Sequence, residues 1–261
     1  MSASRARAGW VYLVGAGPGD PGLVTLRAKD LLESCDSVLY DQLGTEGALG
    51  FVPPSAERLG VGKVGHGSQV AQAEIHRLLV DRARRGRRVV RLKGGCPTVF
   101  GRVAEEAEAL RSADVPFEIV PGVSSALAVP ACAGIAVTHR ELASSVAIVA
   151  GHCATAGREP VAAVAHADTV VVLMGVRRLR AVVGALLAAG RSAETPAAFI
   201  SDGAGPRQRS VIATLGTLAL EVERSGLGAP AVVVVGDVVR RGRVPSVAHV
   251  VEDALAVPTS W

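Results

Sequence analysis

Short apolar runs that end on glycine recur along the chain, and between them the spacing of apolar positions switches from strand-like to helical. The best-defined unit is 11–41. Val11, Leu13 and Val14 predict a buried strand, and Gly15-Ala16-Gly17-Pro18-Gly19-Asp20 predicts a tight backbone turn. Leu26, Ala28, Leu31 and Leu32 then predict a helix behind a Thr25 N-cap, before a second strand delivers Asp41. Ile75, Leu78, Leu79 and Arg82 carry helical spacing over 69–85, with Gly86 as the stop. Val89 to Leu92 reads as a short strand leaving through Lys93-Gly94-Gly95-Cys96-Pro97. Phe117 to Val120 repeats the device through Pro121-Gly122, with Ser124 and Ser125 opening the next helix. The 42–67 segment contains Pro53-Pro54 and many glycines, fits no regular element and is expected to be a long irregular loop.

A joint is expected at Gly134 to Glu141. Beyond it, strands are predicted over 145–150, 169–173, 196–200, 211–214 and 231–235, with helices near 177–189 and 215–224. Met174-Gly175 and Ser201-Asp202-Gly203 are further glycine exits. The alternation of strand, turn and helix predicts a mostly parallel sheet in the first half and a second α/β unit after it. The expected division is a flexible terminus 1–9, domains 10–135 and 136–242, and a motif-free tail 243–261. Ligands of open α/β sheets sit beyond the carboxyl ends of the strands, so the glycine exits are the place to look for chemistry.

Composition narrows the classes. The chain has 261 residues, 49% of them hydrophobic and 20% charged, which excludes a disordered protein and allows substantial cores. A formal net charge of +4 suits a polyanionic small molecule and is too weak to imply nucleic acid. The basic run Arg82 to Arg91 lacks interleaved aromatics and reads as a solvated helix end. Cys35, Cys96, Cys132 and Cys153 are widely separated, with no CxxC pair and no metal-ligand spacing. A reducing cytoplasm is therefore expected, with neither a disulfide framework nor a metal. The first ten residues lack the apolar core of a signal peptide, and no membrane span is expected. Two familiar glycine-loop chemistries fail: a dinucleotide fingerprint needs glycine where Asp20 stands, and the Gly-Lys-Ser/Thr of a P-loop is absent.

The blocks VYLVGAGPGDPGLVTLRA, VLYDQL, VGK, VVRLKGGCPTVFGRVAEEAEAL, VPFEIVPGVSSALAVPACAGIAVTHR, VAGH, VVLMG and PAVVVVGDVV together resemble, in this order, the tetrapyrrole methylases, and within them the uroporphyrinogen-III C-methyltransferases. The resemblance spans roughly residues 10 to 240. It implies two α/β domains with the ligand cleft between them and S-adenosylmethionine as methyl donor, leaving as S-adenosylhomocysteine. It further implies methylation of uroporphyrinogen III at C2 and C7 to precorrin-2 for corrinoid or sirohaem supply, by a homodimer that needs no metal. By the same resemblance the donor is held by Pro18, Gly94, Gly95, Cys96, Val99, Ser124, Ser125, Met174, Gly203 and Ala231. Bare backbone suits that task, because it lets carbonyls and amides approach a nucleoside closely.

Asp41 and Lys63 match the family's proton acceptor and donor, a pair the chemistry asks for once a methylated pyrrole carbon leaves the ring cationic. Arg102 and Glu105 sit one helical turn apart and, unaided, read as an ordinary ion pair; the resemblance makes Arg102 a substrate ligand and joins Glu105 to the proton transfer. Arg140, and Met174 again, complete the implied substrate contacts, since guanidinium forks suit a polycarboxylate macrocycle. The chain departs from the family wording at Cys96, where relatives have Asp, at Cys132, Ala136 and Asp114, and in lacking Asp-Trp after VAGH. At this point a different acceptor with the same donor, and a non-catalytic binding protein, both stay open.

Overall fold

The computed structural model describes residues 5–62, 70–152 and 160–242. Chain contacts divide it into two units, Met1–Ser125 and Ala126–Trp261. In the first, β1 (Val11–Gly15), β2 (Ser37–Tyr40), β3 (Glu57–Gly60), β4 (Val89–Lys93) and β5 (Phe117–Val120) form one sheet in the order β3-β2-β4-β1-β5. Every pairing in it is parallel, as the alternating pattern predicts. Helices α1 (Leu26–Glu33), α2 (Glu46–Leu49), α3 (Gln72–Arg84) and α4 (Val103–Ser112) connect the strands. Thr25 caps α1 as expected, its hydroxyl accepting from the Ala28 N–H at 3.2 Å.

Alternation along the strands sends side chains to two separate cores. Tyr12, Val14, Val38, Val90 and Leu92 pack with Leu31 and Leu32 of α1 on one face. Val11, Leu13, Leu39 and Val89 pack with Ile75 and Leu79 of α3 and Leu110 of α4 on the other. Each fully buried aliphatic side chain contributes about 1.5–3 kcal/mol relative to exposure.

The second unit holds β6 (Val146–Ala150), β7 (Thr169–Leu173), β8 (Pro196–Ser201), β9 (Arg209–Thr214) and β10 (Ala231–Val235), ordered β6-β7-β10-β8-β9. Here β6 and β7 are parallel and the other pairings antiparallel. Helices α5 (Ser125–Cys132), α6 (Leu179–Ala188) and α7 (Leu218–Ser225) accompany it.

The structure corrects the reading of 42–67 as one irregular loop. It contains the short helix α2 and the edge strand β3, whose ERLG sequence alternates half-buried and exposed positions. An edge strand needs main-chain pairing more than apolar side chains, and Arg82 of α3 anchors this one by donating to both Glu57 carboxylate oxygens, at 3.0 and 2.8 Å. The division that chain contacts draw between the units ends the first at Ser125. It lies at the start of α5, whose Val129 meets Gly203 inside the second unit.

Candidate functional site

Because β1 lies between β4 and β5, the exits of these three strands are neighbours. The Ala16 N–H donates to Lys93 O at 2.8 Å, and Gly17 and Gly95 exchange backbone hydrogen bonds of 3.2 and 2.7 Å. Side chains have no room there. A Cβ on Gly15 would lie 2.6 Å from both Gly122 N and Gly95 O, and one on Gly122 would lie 2.3 Å from Gly95 O. The turn after β2 joins the same group, since a Cβ on Gly94 would come 2.4 Å from Leu43 O. Gly17 and Gly95 also have φ of +76° and +65°, a region closed to most side chains. Four strand exits thus meet backbone to backbone, a cradle of the kind a nucleoside-type ligand needs.

Pro18, Gly94, Gly95, Cys96, Val99, Ser124 and Ser125 lie on or beside this cradle. The Val99 N–H donates to Cys96 O at 3.1 Å, Ser124 is buried, and the Ser125 N lies 3.5 Å from the position a Gly95 Cβ would take. Cys96 is 9% exposed, with its Sγ 3.1 Å from Thr98 Oγ1. Burial raises its pKa, but the Thr98 hydroxyl and the N–H groups of Thr98 and Gly122 outweigh that and leave the thiol below its ordinary value.

Asp41 follows β2 directly and its N–H donates to Leu92 O at 3.0 Å. Its carboxylate, 32% exposed, accepts from Arg91 Nη2 at 2.5 Å. Behind it lie Arg91, Lys93 and Glu106, each at most 3% exposed, three charged residues that reading the chain missed. Their signal was present: a central parallel strand should be apolar on both faces, and VVRLK is not. Lys63 lies outside the described residues.

Arg102 and Glu105 are brought together as a bidentate pair at 2.9 and 2.6 Å, about half exposed on each side. Arg102 is the N-cap of α4, with φ +56°, and two positions before it Phe100 also has positive φ. Two such residues so close mark a backbone held against its preference. Arg140 is exposed, next to His139 in the turn that pairs His139 with Ala143.

In the second unit, pairing registers carry Met174, Gly203 and Ala231 to one end of the sheet. Ala231 is opposite Ser201, and Val233 opposite Val172, so Ala231 stands level with the β7 exit. Met174 has φ +56° and is 47% exposed. Behind it, a Cβ on Gly151 would fall 2.4 Å from the Gly175 Cα, and one on Gly203 would fall 2.2 Å from Val129 Cγ1.

Residues 10–219 match the family of tetrapyrrole (corrin/porphyrin) methylases. The chain belongs to the tetrapyrrole methylases. It is 46% identical over 235 residues to an S-adenosyl-L-methionine-dependent uroporphyrinogen III methyltransferase of Methanosarcina barkeri, covering 88% of this chain and 92% of that one. It is 45% identical to a siroheme synthase of Azotobacter vinelandii, of which it spans 50%. The uroporphyrin-III C-methyl transferase of Thermus thermophilus, solved with S-adenyl homocysteine, shares 43% identity at a TM-score of 0.78, over 88% of this tetrapyrrole methylase chain and 98% of that one. Among the described residues no helix is long and apolar enough to cross a membrane, and no group of three or more His, Cys, Asp or Glu could hold a metal ion.

Proposed function

We propose that this tetrapyrrole methylase is an S-adenosylmethionine-dependent C-methyltransferase that converts uroporphyrinogen III to precorrin-2 by methylation at C2 and C7, for corrinoid or sirohaem supply. The observation that carries the reading is the cradle in which Gly15 and Gly122 pack against Gly95 with no room for a Cβ on either, next to a partly exposed Asp41 held by a buried arginine. The donor supplies a sulfonium methyl group to an electron-rich ring carbon. Pro18, Gly94, Gly95, Cys96, Val99, Ser124 and Ser125, with Met174, Gly203 and Ala231 of the second unit, are the proposed donor contacts. Arg102, Arg140 and Met174 are the proposed substrate contacts. Asp41 accepts the proton released from the methylated ring, Lys63 is the proposed donor of a proton, and Glu105 is proposed to assist through Arg102. Little covalent work falls to the protein, and alignment in a dry site supplies most of the rate. We place the enzyme in the cytoplasm as a homodimer, on the family resemblance and with free thiols at Cys35, Cys96 and Cys132 that fit a reducing compartment.

Incubation with enzymatically made uroporphyrinogen III and S-adenosylmethionine tests the assignment. The absorption spectrum of precorrin-2 is expected. An inert mixture, with donor binding demonstrated by titration, would move the acceptor to another chemical class.

A further inference from the structure

Side chains alternate across a strand, so Arg91 and Lys93 of β4 share the face of Val89, toward α3 and α4. Both are nearly inaccessible, at 2% and 3%, and wholly buried Glu106 of α4 faces them. Arg91 Nε donates to Glu106 Oε1 at 3.1 Å, and Lys93 Nζ donates to the same oxygen at 2.8 Å. Gln72 of α3 adds a third donor at 3.3 Å, and its amide meets His76 Nε2 at 3.1 Å. On the opposite side of the cations Arg91 Nη2 binds Asp41 Oδ1, and Lys93 Nζ lies 3.9 Å from Asp41 Oδ2. Two cations and two carboxylates therefore form one charge-balanced cluster, and Asp41 is the member that reaches solvent.

Such a cluster is a poor way to stabilise a core, because desolvation offsets the attraction and apolar replacements are often neutral or better. Glu106 Oε2 has no hydrogen-bond partner, an arrangement that costs stability when buried. Burial, then the Arg91 charge, push the Lys93 ammonium below the ordinary lysine range, with Glu106 and Asp41 opposing the shift. These charges are maintained against the stability of the sheet, and their common output is the orientation of one carboxylate.

We propose that Glu106 and Lys93 are positioning residues for methyl transfer, which hold Arg91 so that Asp41 keeps Oδ1 pinned by Arg91 and leaves Oδ2, 3.9 Å from Lys93 Nζ, to take the proton. The proton leaves the cationic methylated ring for Oδ2, which leaves a neutral macrocycle and a neutral carboxylic acid. The inference rests on Asp41 being the base, and the test separates the two. Lys93→Met leaves the buried Glu106 short of one cation and is expected to melt below the wild type while still binding S-adenosylhomocysteine normally, whereas the charge-neutral double variant Lys93→Met/Glu106→Gln should melt closer to the wild type. The kcat of Lys93→Met with uroporphyrinogen III should fall about ten-fold or more at unchanged KM for the donor. Glu106→Gln should lose a similar factor, and the double variant no more than the worse single one, because both act through the same carboxylate. A folded Lys93→Met with wild-type kcat overturns the proposal, and so does wild-type kcat in the charge-neutral double variant, which carries the test if the single variant does not fold. If Asp41→Asn alone keeps wild-type kcat, the assignment of the base has failed. If Asp41→Asn is slow and Lys93→Met is not, the positioning role alone has failed.

Discussion

Gly122→Ala isolates the steric basis of the cradle. The φ of Gly122 is not in the left-handed region, so alanine adopts its backbone without strain and on that ground alone would stabilise by about 0.4–1 kcal/mol. The new Cβ, however, falls 2.3 Å from Gly95 O, 2.8 Å from Gly15 Cα and 2.9 Å from Gly15 C. All three are backbone atoms at neighbouring strand exits, so no rotamer change relieves the contact and the exits must separate. Overpacking of this kind costs about 1–3 kcal/mol. Spent on opening the cradle, that cost corresponds to a loss of roughly 5- to 150-fold in affinity for S-adenosylhomocysteine. Calorimetric titration measures the affinity, and urea unfolding shows how much of the cost reaches global stability. Gly184→Ala is the control: it lies mid-helix in α6 with nothing within 4 Å of an added Cβ, and should stabilise by about 0.5–1 kcal/mol with no change in binding. Wild-type affinity and stability in Gly122→Ala would refute the reasoning.

Arg102→Ala removes an exposed ion pair worth about 1 kcal/mol or less, so melting should barely move while kcat/KM for uroporphyrinogen III falls; an unchanged kcat/KM would return the pair to the ordinary surface category. Cys96→Asp places a carboxylate among the same Thr98 and Gly122 donors, and should tighten S-adenosylmethionine binding by a charge-assisted hydrogen bond of roughly 1.5–3 kcal/mol, read by titration. Glu57 is held at about 2 by its hydrogen bonds from Arg82, with the Ser37 hydroxyl assisting and burial opposing. Its folded pKa lies below the unfolded value, so its contribution is present above about pH 4.5 and is lost as pH falls toward 2. Urea unfolding in that window should show about 1–2 kcal/mol of acid-sensitive stability, after allowance for solvent screening, that is missing in Glu57→Gln.

What the chain announces in advance is whatever the core demands. Val11 to Val14, Val89 to Leu92 and Ala231 to Val235 are legible because strands buried on both faces need continuous apolar runs, and the glycines that end them are legible because close backbone approach excludes a Cβ. The edge strand Glu57–Gly60 is not, since its register comes from pairing with β2 and from the Arg82 anchor on a distant helix. The charges beneath Asp41 escape for a related reason. Arg91 and Lys93 read as the tail of a basic run, and Glu106 as one of several acids on a helix, until the fold sets Glu106 Oε1 within 3.1 Å of both. Alternation along VVRLK puts them on the face of Val89, but their partner is fixed by tertiary structure alone.

The central claim is carbon methylation of a tetrapyrrole. Incubating the protein with uroporphyrinogen III and S-adenosylmethionine labelled in its methyl group, then locating the label in the product by nuclear magnetic resonance, tests it most directly. Label at C2 and C7 is the predicted result. Label on another atom, or none transferred by protein that binds the donor, would contradict it.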